Sequence, residues 1–215
     1  MPSSWDHNLA GGHPVLDFVN TVDDWTKAGA PDYFTTFADA ERFGEAVGLI
    51  SRREALQLAE SGSDIGRAAA GELRSLRQLR ASLERIVRAS IESRQPPQPD
   101  LAVIHRGFVE AVRATELVAS PGAPLSRRIG VDANGPVALR LRILDAAMAL
   151  LQSDALRQVK ACPTCGWYFL DVSKNQSRVW CSMDSCGARA KARRYYHRTK
   201  RRSSSSGSRR ARSRS

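Results

Sequence analysis

With 215 residues, 42% hydrophobic and 26% charged, the chain has the make-up of a soluble globular protein: one cored domain and room for a small appended module. No run approaches the roughly 18 apolar residues of a membrane span. The opening MPSSWDHNLAGGHPVLDF has no basic stretch followed by an apolar one, so the sequence predicts a cytoplasmic protein without a secretory signal. The net charge of +11 is unevenly placed: residues 1–159 hold 18 Lys+Arg against 20 Asp+Glu, and residues 160–215 hold 15 against 2. A near-neutral domain with a basic end is the footprint of nucleic-acid binding; a merely solvated or membrane-binding tail is the blander alternative.

In chain order, the apolar, partly β-branched 13–21 (HPVLDFVNT) predicts a strand or extended segment entering the core. Residues 22–37, with Asp23, Asp24, Gly29 and Pro31, predict a loop, and 38–49 a helix. Ser51 opens the next helix, with Glu54 three residues on to complete a capping box, and Gly62 ends it. From 64 to 94, Leu73, Leu76, Leu79, Leu83, Ile86 and Val87 recur every three or four residues, the stripe of an amphipathic helix. Its arginines (Arg67, Arg74, Arg77, Arg80, Arg85, Arg88, Arg94) offer either a second basic surface or a solvated face. The stretch 95–100 (QPPQPD) breaks that helix, and 101–119 forms another. Residues 127–131 and 137–141 flank Asp132-Ala133-Asn134-Gly135, which predicts a β-hairpin turning at Asn-Gly. Residues 143–153 return to helix, and 154–158 make a helical turn. The low-complexity end 203–215 (SSSSGSRRARSRS) cannot form a core and is expected to be a disordered basic tail.

The four cysteines of the chain, Cys162, Cys165, Cys181 and Cys186, follow the spacing C-x2-C-x15-C-x4-C. A C-x2-C turn brings two thiolates to one tetrahedral ion, and Pro163 and Gly166 are turn residues. A redox dithiol would account for the first pair and leave the second unexplained. One structural zinc ion on all four is therefore expected, with a hairpin in the intervening residues and Trp167, Phe169, Val172, Val179 and Trp180 covering it. Ser182, Asp184 or Ser185 caps the helix that begins at Cys186.

That helix, 187–200, reads GARAKARRYYHRTK. On a wheel of about 100° per residue, Ala188, Ala192, Tyr195 and Tyr196 share one arc, predicted to pack back on the zinc hairpin. Arg189, Lys191, Arg193, Arg194, Arg198 and Lys200 occupy the rest and are the candidate nucleic-acid contacts. The helix holds no Asn or Gln for adenine readout, while its arginines can read guanine.

These residues carry a resemblance. Cys162-Pro163-Thr164-Cys165-Gly166-Trp167, Phe169-Leu170-Asp171, Arg178, Trp180-Cys181-Ser182-Met183 and 186–193 (CGARAKAR) resemble the CGNR zinc finger, in which Cys-Gly-Asn-Arg opens the last helix. Upstream, Gly12 and 16–21 (LDFVNT) resemble the start of the ABATE domain that precedes this finger. The resemblance implies zinc on the four cysteines and a bacterial, stress-induced transcription regulator that acts on nucleic acid. Ala188 stands where the family has Asn; by the wheel this position faces inward, so the lost amide would have served the knuckle rather than a base.

The expected architecture is α+β: a mainly helical N-terminal domain with a β-hairpin over 1–158, a zinc finger of β-hairpin plus C-terminal basic helix over 159–202, and the tail over 203–215. The expected function is DNA binding and transcription regulation, not catalysis, with the N-terminal domain sensing a small ligand, docking a protein partner or forming a homodimer. An RNA-binding or ribosome-associated protein is the alternative, since a short Arg-rich helix suits structured RNA as well. A third reading is an enzyme or ligand site where Asp17, Asn20, Asp23 and Asp24 cluster, a set that equally fixes turns and caps.

Overall fold

The computed structural model describes residues 5–60 and 62–211, leaving aside the side chains of 59, 60, 62–66, 133 and 201–211. The segment expected to be extended is instead a short helix, α1 (Pro14–Val19). His13 caps it, its Nδ1 accepting from Val15 N–H at 3.2 Å, and Pro14 takes the first helical position, where its missing donor costs nothing. Val15, Leu16, Asp17, Phe18 and Val19 are all buried. A six-residue segment buried all round shows no period, so sequence alone cannot separate helix from strand there.

A loop closed by the Val22–Asp32 bridge leads to α2 (Phe37–Ala46), which opens with a Thr36–Asp39 capping box. The Ser51–Glu54 box opens α3 (Arg52–Glu60) as predicted: Ser51 N–H donates to Glu54 Oε2 at 2.8 Å and Glu54 N–H to Ser51 Oγ at 3.3 Å. Gly62, expected to end a helix, begins the long α4 (Gly62–Ile91). Next come α5 (Gln98–Arg113) and a hairpin of β1 (Glu116–Val118) and β2 (Ser126–Arg128), with Leu117 opposite Arg127. α5 is shorter than predicted because the chain leaves it for β1.

The hairpin predicted around Asn134-Gly135 does not exist. Val131–Asn134 is a single turn, α6, and Gly135 at φ 53° ends it, for a left-handed residue stops a helix as readily as it turns a hairpin. Residues 137–141, read as a returning strand, begin α7 (Val137–Leu151). Leu139, Leu141, Ile143 and Leu144 are all buried, so the helix is enclosed on most sides and its pattern imitates alternation.

α4, α5 and α7 pack on one another, and α1 lies against α4 and α7. Phe18, Phe34, Phe43, Leu76, Leu83, Leu139 and Leu144 form the fully buried centre; each such side chain stabilises the fold by about 1.5–3 kcal/mol. Four arginines of α4 are tied to this frame, while Arg67 and Arg74 stay exposed. Arg77 donates to Phe34 O (3.0 Å), Arg80 reaches Thr21 Oγ1 and Asp32 (both 2.8 Å), Arg85 binds Asp100 (2.6 Å), and Arg88 pairs with Glu84. The second basic surface is therefore not formed by these four.

After a 3-10 turn (Asp154–Gln158), β3 (Val159–Ala161) and β4 (Tyr168–Leu170) pair antiparallel, with Val159 opposite Leu170 and Ala161 opposite Tyr168. A π turn (Met183–Gly187) then opens α8 (Ala188–Ala211). The backbone of α8 runs on through 203–211, part of the predicted tail; residues 212–215 lie outside the described ones.

Candidate metal centre and nucleic-acid interface

The first cysteine pair forms the turn between β3 and β4. Cys162 N–H donates to Trp167 O and Gly166 N–H to Cys162 O, both at 2.8 Å, which folds 162–166 into a knuckle with its two sulfurs on one side. Gly166 adopts φ +73°, and a Cβ there would lie 2.9 Å from the Cβ of Trp25. The hairpin thus spans the first pair rather than the intervening residues. Those residues form a loop pinned by buried Asp171, which accepts from Ser173 N–H and Arg178 N–H at 3.0 Å and from Lys160 at 2.7 Å. Burial works against the Asp171 charge, but the bonds from Lys160 and Ser173 outweigh it and hold its carboxyl well below the usual range. Trp167 and Phe169 are buried beside the cysteines as predicted; Val172 and Val179 are 77% and 49% exposed and cover nothing.

The loop returns Cys181, and the π turn supplies Cys186, with Ser182 as the cap that accepts from Ser185 N–H at 3.3 Å. All four cysteines are buried, and their sulfurs lie within 4.8 Å of one another. The Cys165–Cys181, Cys181–Cys186 and Cys165–Cys186 separations are 3.7, 3.6 and 3.6 Å. Zinc–sulfur bonds of about 2.3 Å in a tetrahedron put neighbouring sulfurs about 3.8 Å apart, whereas a disulfide needs about 2.05 Å. The donor set therefore fits zinc and no disulfide. Hydrogen bonds from Cys165 and Cys181 hold the Cys162 thiol low, and donating them pushes Cys165 up and Cys181 up to about 12. A divalent cation relieves this sharing by replacing the protons. Backbone N–H groups of Thr164, Cys181 and Trp167 face the sulfurs, and Arg189 Nη2 stands 3.5 Å from Cys186 Sγ, so excess negative charge is met by donors.

The profile described as "Putative stress-induced transcription regulator", ABATE, matches residues 12–157, and the CGNR zinc finger matches residues 158–199. The chain belongs to the ABATE family. Its cofactor is one zinc ion. No curated protein matches the chain.

The ABATE motif 16–21 proves to be the clasp that holds the finger. Asn20 donates from Nδ2 to Tyr168 O and accepts at Oδ1 from Tyr168 N–H, both at 2.8 Å, so a buried side chain acts as a further strand beside β4. Asp17 accepts from Gly11 N–H at 2.7 Å, and Gly11 O in turn accepts from Leu170 N–H at 2.8 Å. Trp167 Nε1 donates to Val22 O at 2.7 Å, Trp25 N–H to Cys165 O at 3.0 Å, and the Tyr168 hydroxyl to Glu84 at 2.7 Å. Asp23 accepts from the Tyr33 hydroxyl and Asp24 from Thr26. The four polar residues that suggested a site are thus distributed over structural bonds and do not converge. Arg178 completes the joint, its guanidinium 4.6 Å from the Phe169 ring centre and donating to Ala10 O at 3.3 Å.

The face assigned to α8 is reversed. Tyr195 and Tyr196 are 64% and 61% exposed, and Ala188 and Ala192 are exposed too, so this arc looks outward. Toward the finger lie half-buried Ala190, Arg193 with Nη2 3.3 Å from Thr164 Oγ1, and Arg194 with its guanidinium 5.8 Å from the Trp180 ring centre. From Lys191 to Lys200 every residue is exposed. The wheel misleads because it takes the apolar arc as the packed one, whereas the helix leaves the finger after one turn and long Arg side chains bridge back. Sequence reasoning also missed Lys27. The docked loop carries it into electrostatic reach of Arg189, beside its bridge to Asp24 at 2.8 Å.

Proposed function

We propose that this ABATE protein is a DNA-binding transcription regulator in which Cys162, Cys165, Cys181 and Cys186 hold the zinc and the zinc anchors α8 against the phosphate backbone. The observation that carries this reading is the state of the α8 cations. Among the described residues, Arg189, Lys191, Arg193, Arg194 and Arg198 make no ion pair with a carboxylate, and the sequence has no acidic residue after Asp184 to neutralise them. Exposed, unneutralised cations on one helix release counterions on meeting a polyanion. Lys200 lies on the same helix, and Lys27 stands near it with its charge shared with Asp24. The outward arc, Ala188, Ala192 and Tyr195, enters the groove between the flanking cations, and apolar contact with thymine methyl groups is within its chemistry. Ala188 replaces the family Asn on this arc, so the substitution removes an amide from the binding face rather than from the knuckle.

The test is fluorescence anisotropy of the zinc-loaded chain against duplex DNA and structured RNA at several salt concentrations. Replacing Lys191, Arg194 and Arg198 with Ala, which keeps the Arg189–Cys186 contact, should leave zinc bound and flatten the plot of log affinity against log salt by about 0.9 for each phosphate no longer neutralised. Tighter binding to structured RNA than to duplex would transfer the reading to RNA. Unchanged affinity in the triple variant would overturn the assignment to α8.

A further inference from the structure

Where α4 meets α5 and α7, beside the 3-10 turn, the helical domain contains a cleft of about 590 Å³. Roughly 300–1,000 Å³ is the range of small-molecule sites. Its floor holds buried Ile86 and Ile104, and half-buried Phe108, Met148, Leu151 and Leu156 make its walls. Close packing normally fills such space with side chains, and no side chain of the described residues fills this one. Polar groups on the lining are few. Ser90 and His105 offer a hydroxyl and an imidazole, Arg94 is the one formal charge, and no carboxylate lines the cleft.

Arg94 is paired with Glu92, but their side chains are 64% and 45% exposed, and an ion pair in water contributes little. Arg94 can therefore exchange Glu92 for an anion held in the cleft. The shape argues against a protein occupant. Among the large apolar lining residues Leu101 is the most exposed, at 36%, so the apolar surface is inside the concavity. A protein partner needs roughly 800 Å² of matching surface on each side.

We propose that this cleft is a binding site for a free monocarboxylate with an apolar body, a medium-chain fatty acid or an arylalkyl acid. The hydrocarbon lies against Ile104, Phe108 and Met148, and the carboxylate reaches Arg94. The proposal is independent of the nucleic-acid reading, because the site belongs to the helical domain and its test involves no nucleic acid.

The experiment uses the full zinc-loaded chain with carbon-13-labelled methionine methyls. Decanoate is the probe, and decanol is the neutral probe of equal length. Decanoate should move the Met148 methyl resonance saturably while that of Met183, in the finger, stays in place. R94Q, an exposed change that leaves the fold alone, should weaken decanoate by about two- to fivefold and leave decanol unchanged. S90F, which places a phenyl ring in the cleft, should weaken both shifts at unchanged zinc content and helical circular dichroism. A stationary Met148 resonance with decanoate and with phenylbutyrate would overturn the site. Equal binding of decanoate by R94Q and the parent chain would overturn the carboxylate assignment, and if S90F fails to fold, R94Q and the two methionine signals still decide the matter.

Discussion

Substituting Asn20 with Ala tests whether the finger and the helical domain are one cooperative unit. The side chain is 2% exposed and satisfies both backbone groups of Tyr168. Its loss leaves a buried N–H and a buried C=O without those partners, at about 1–3 kcal/mol each, so N20A should destabilise the protein by roughly 2–5 kcal/mol. For a chain of this size that lowers Tm by about 5–15 °C. N20D should be worse than N20A: it keeps the acceptor for Tyr168 N–H but turns an oxygen toward Tyr168 O and buries a charge. The assay is thermal unfolding followed in parallel by far-ultraviolet circular dichroism and by a colorimetric zinc indicator. Both signals should move together in the parent and shift together in the variants. An N20A protein with unchanged Tm, or zinc release well below the helical transition in the parent, would refute the clasp.

Stripping zinc with a chelator should lower the helical-domain Tm as well as unfold the finger, because Val159 and Tyr168 belong to the main core; differential scanning calorimetry reads this directly. R142M should cost about 2–4 kcal/mol by urea denaturation. Arg142 donates to Leu49 O (2.7 Å) and Ile129 O (2.8 Å) and binds Glu54 at 2.5 Å, and that bond draws the Glu54 carboxyl down to about 2. Burial pushes Asp17 up to about 6 from 3.8, against the Gly11 N–H that favours its charge. The folded protein therefore holds a proton that the unfolded chain has released, so Asp17 lowers stability as pH rises from about 4 to 7, by about 3 kcal/mol in all. D17N should remove this fall, measured as urea midpoints at pH 4.5 and 7.5, and an unchanged pH slope would count against it.

Much of the site could be read from residue spacing, because its physics is local. Two thiols separated by two residues in a turn reach one ion whatever the rest of the chain does, so the C-x2-C knuckle was legible at Cys162 and Cys165. The Ser51–Glu54 box and the stripe of α4 were equally legible, since each is decided within one or two helical turns. The charge step at residue 160 marked the basic end without any knowledge of fold.

What sequence could not decide were choices among partners distant in the chain. The segment that became α1 is short and buried on all sides and satisfies a strand template as well as a helix; packing against α4 and α7 chose. Asn134-Gly135 serves a hairpin or a helix stop, and the burial of Leu139 and Leu141 in α7 settled it. Asp17 and Asn20 looked like acid–base chemistry until β4, about 150 residues on, came within hydrogen-bond reach. The outward face of α8 was set by Arg193 and Arg194 bridging to Thr164 and Trp180. A wheel computed from one helix omits those bridges, because orientation depends on what a helix leaves behind as much as on its own pattern.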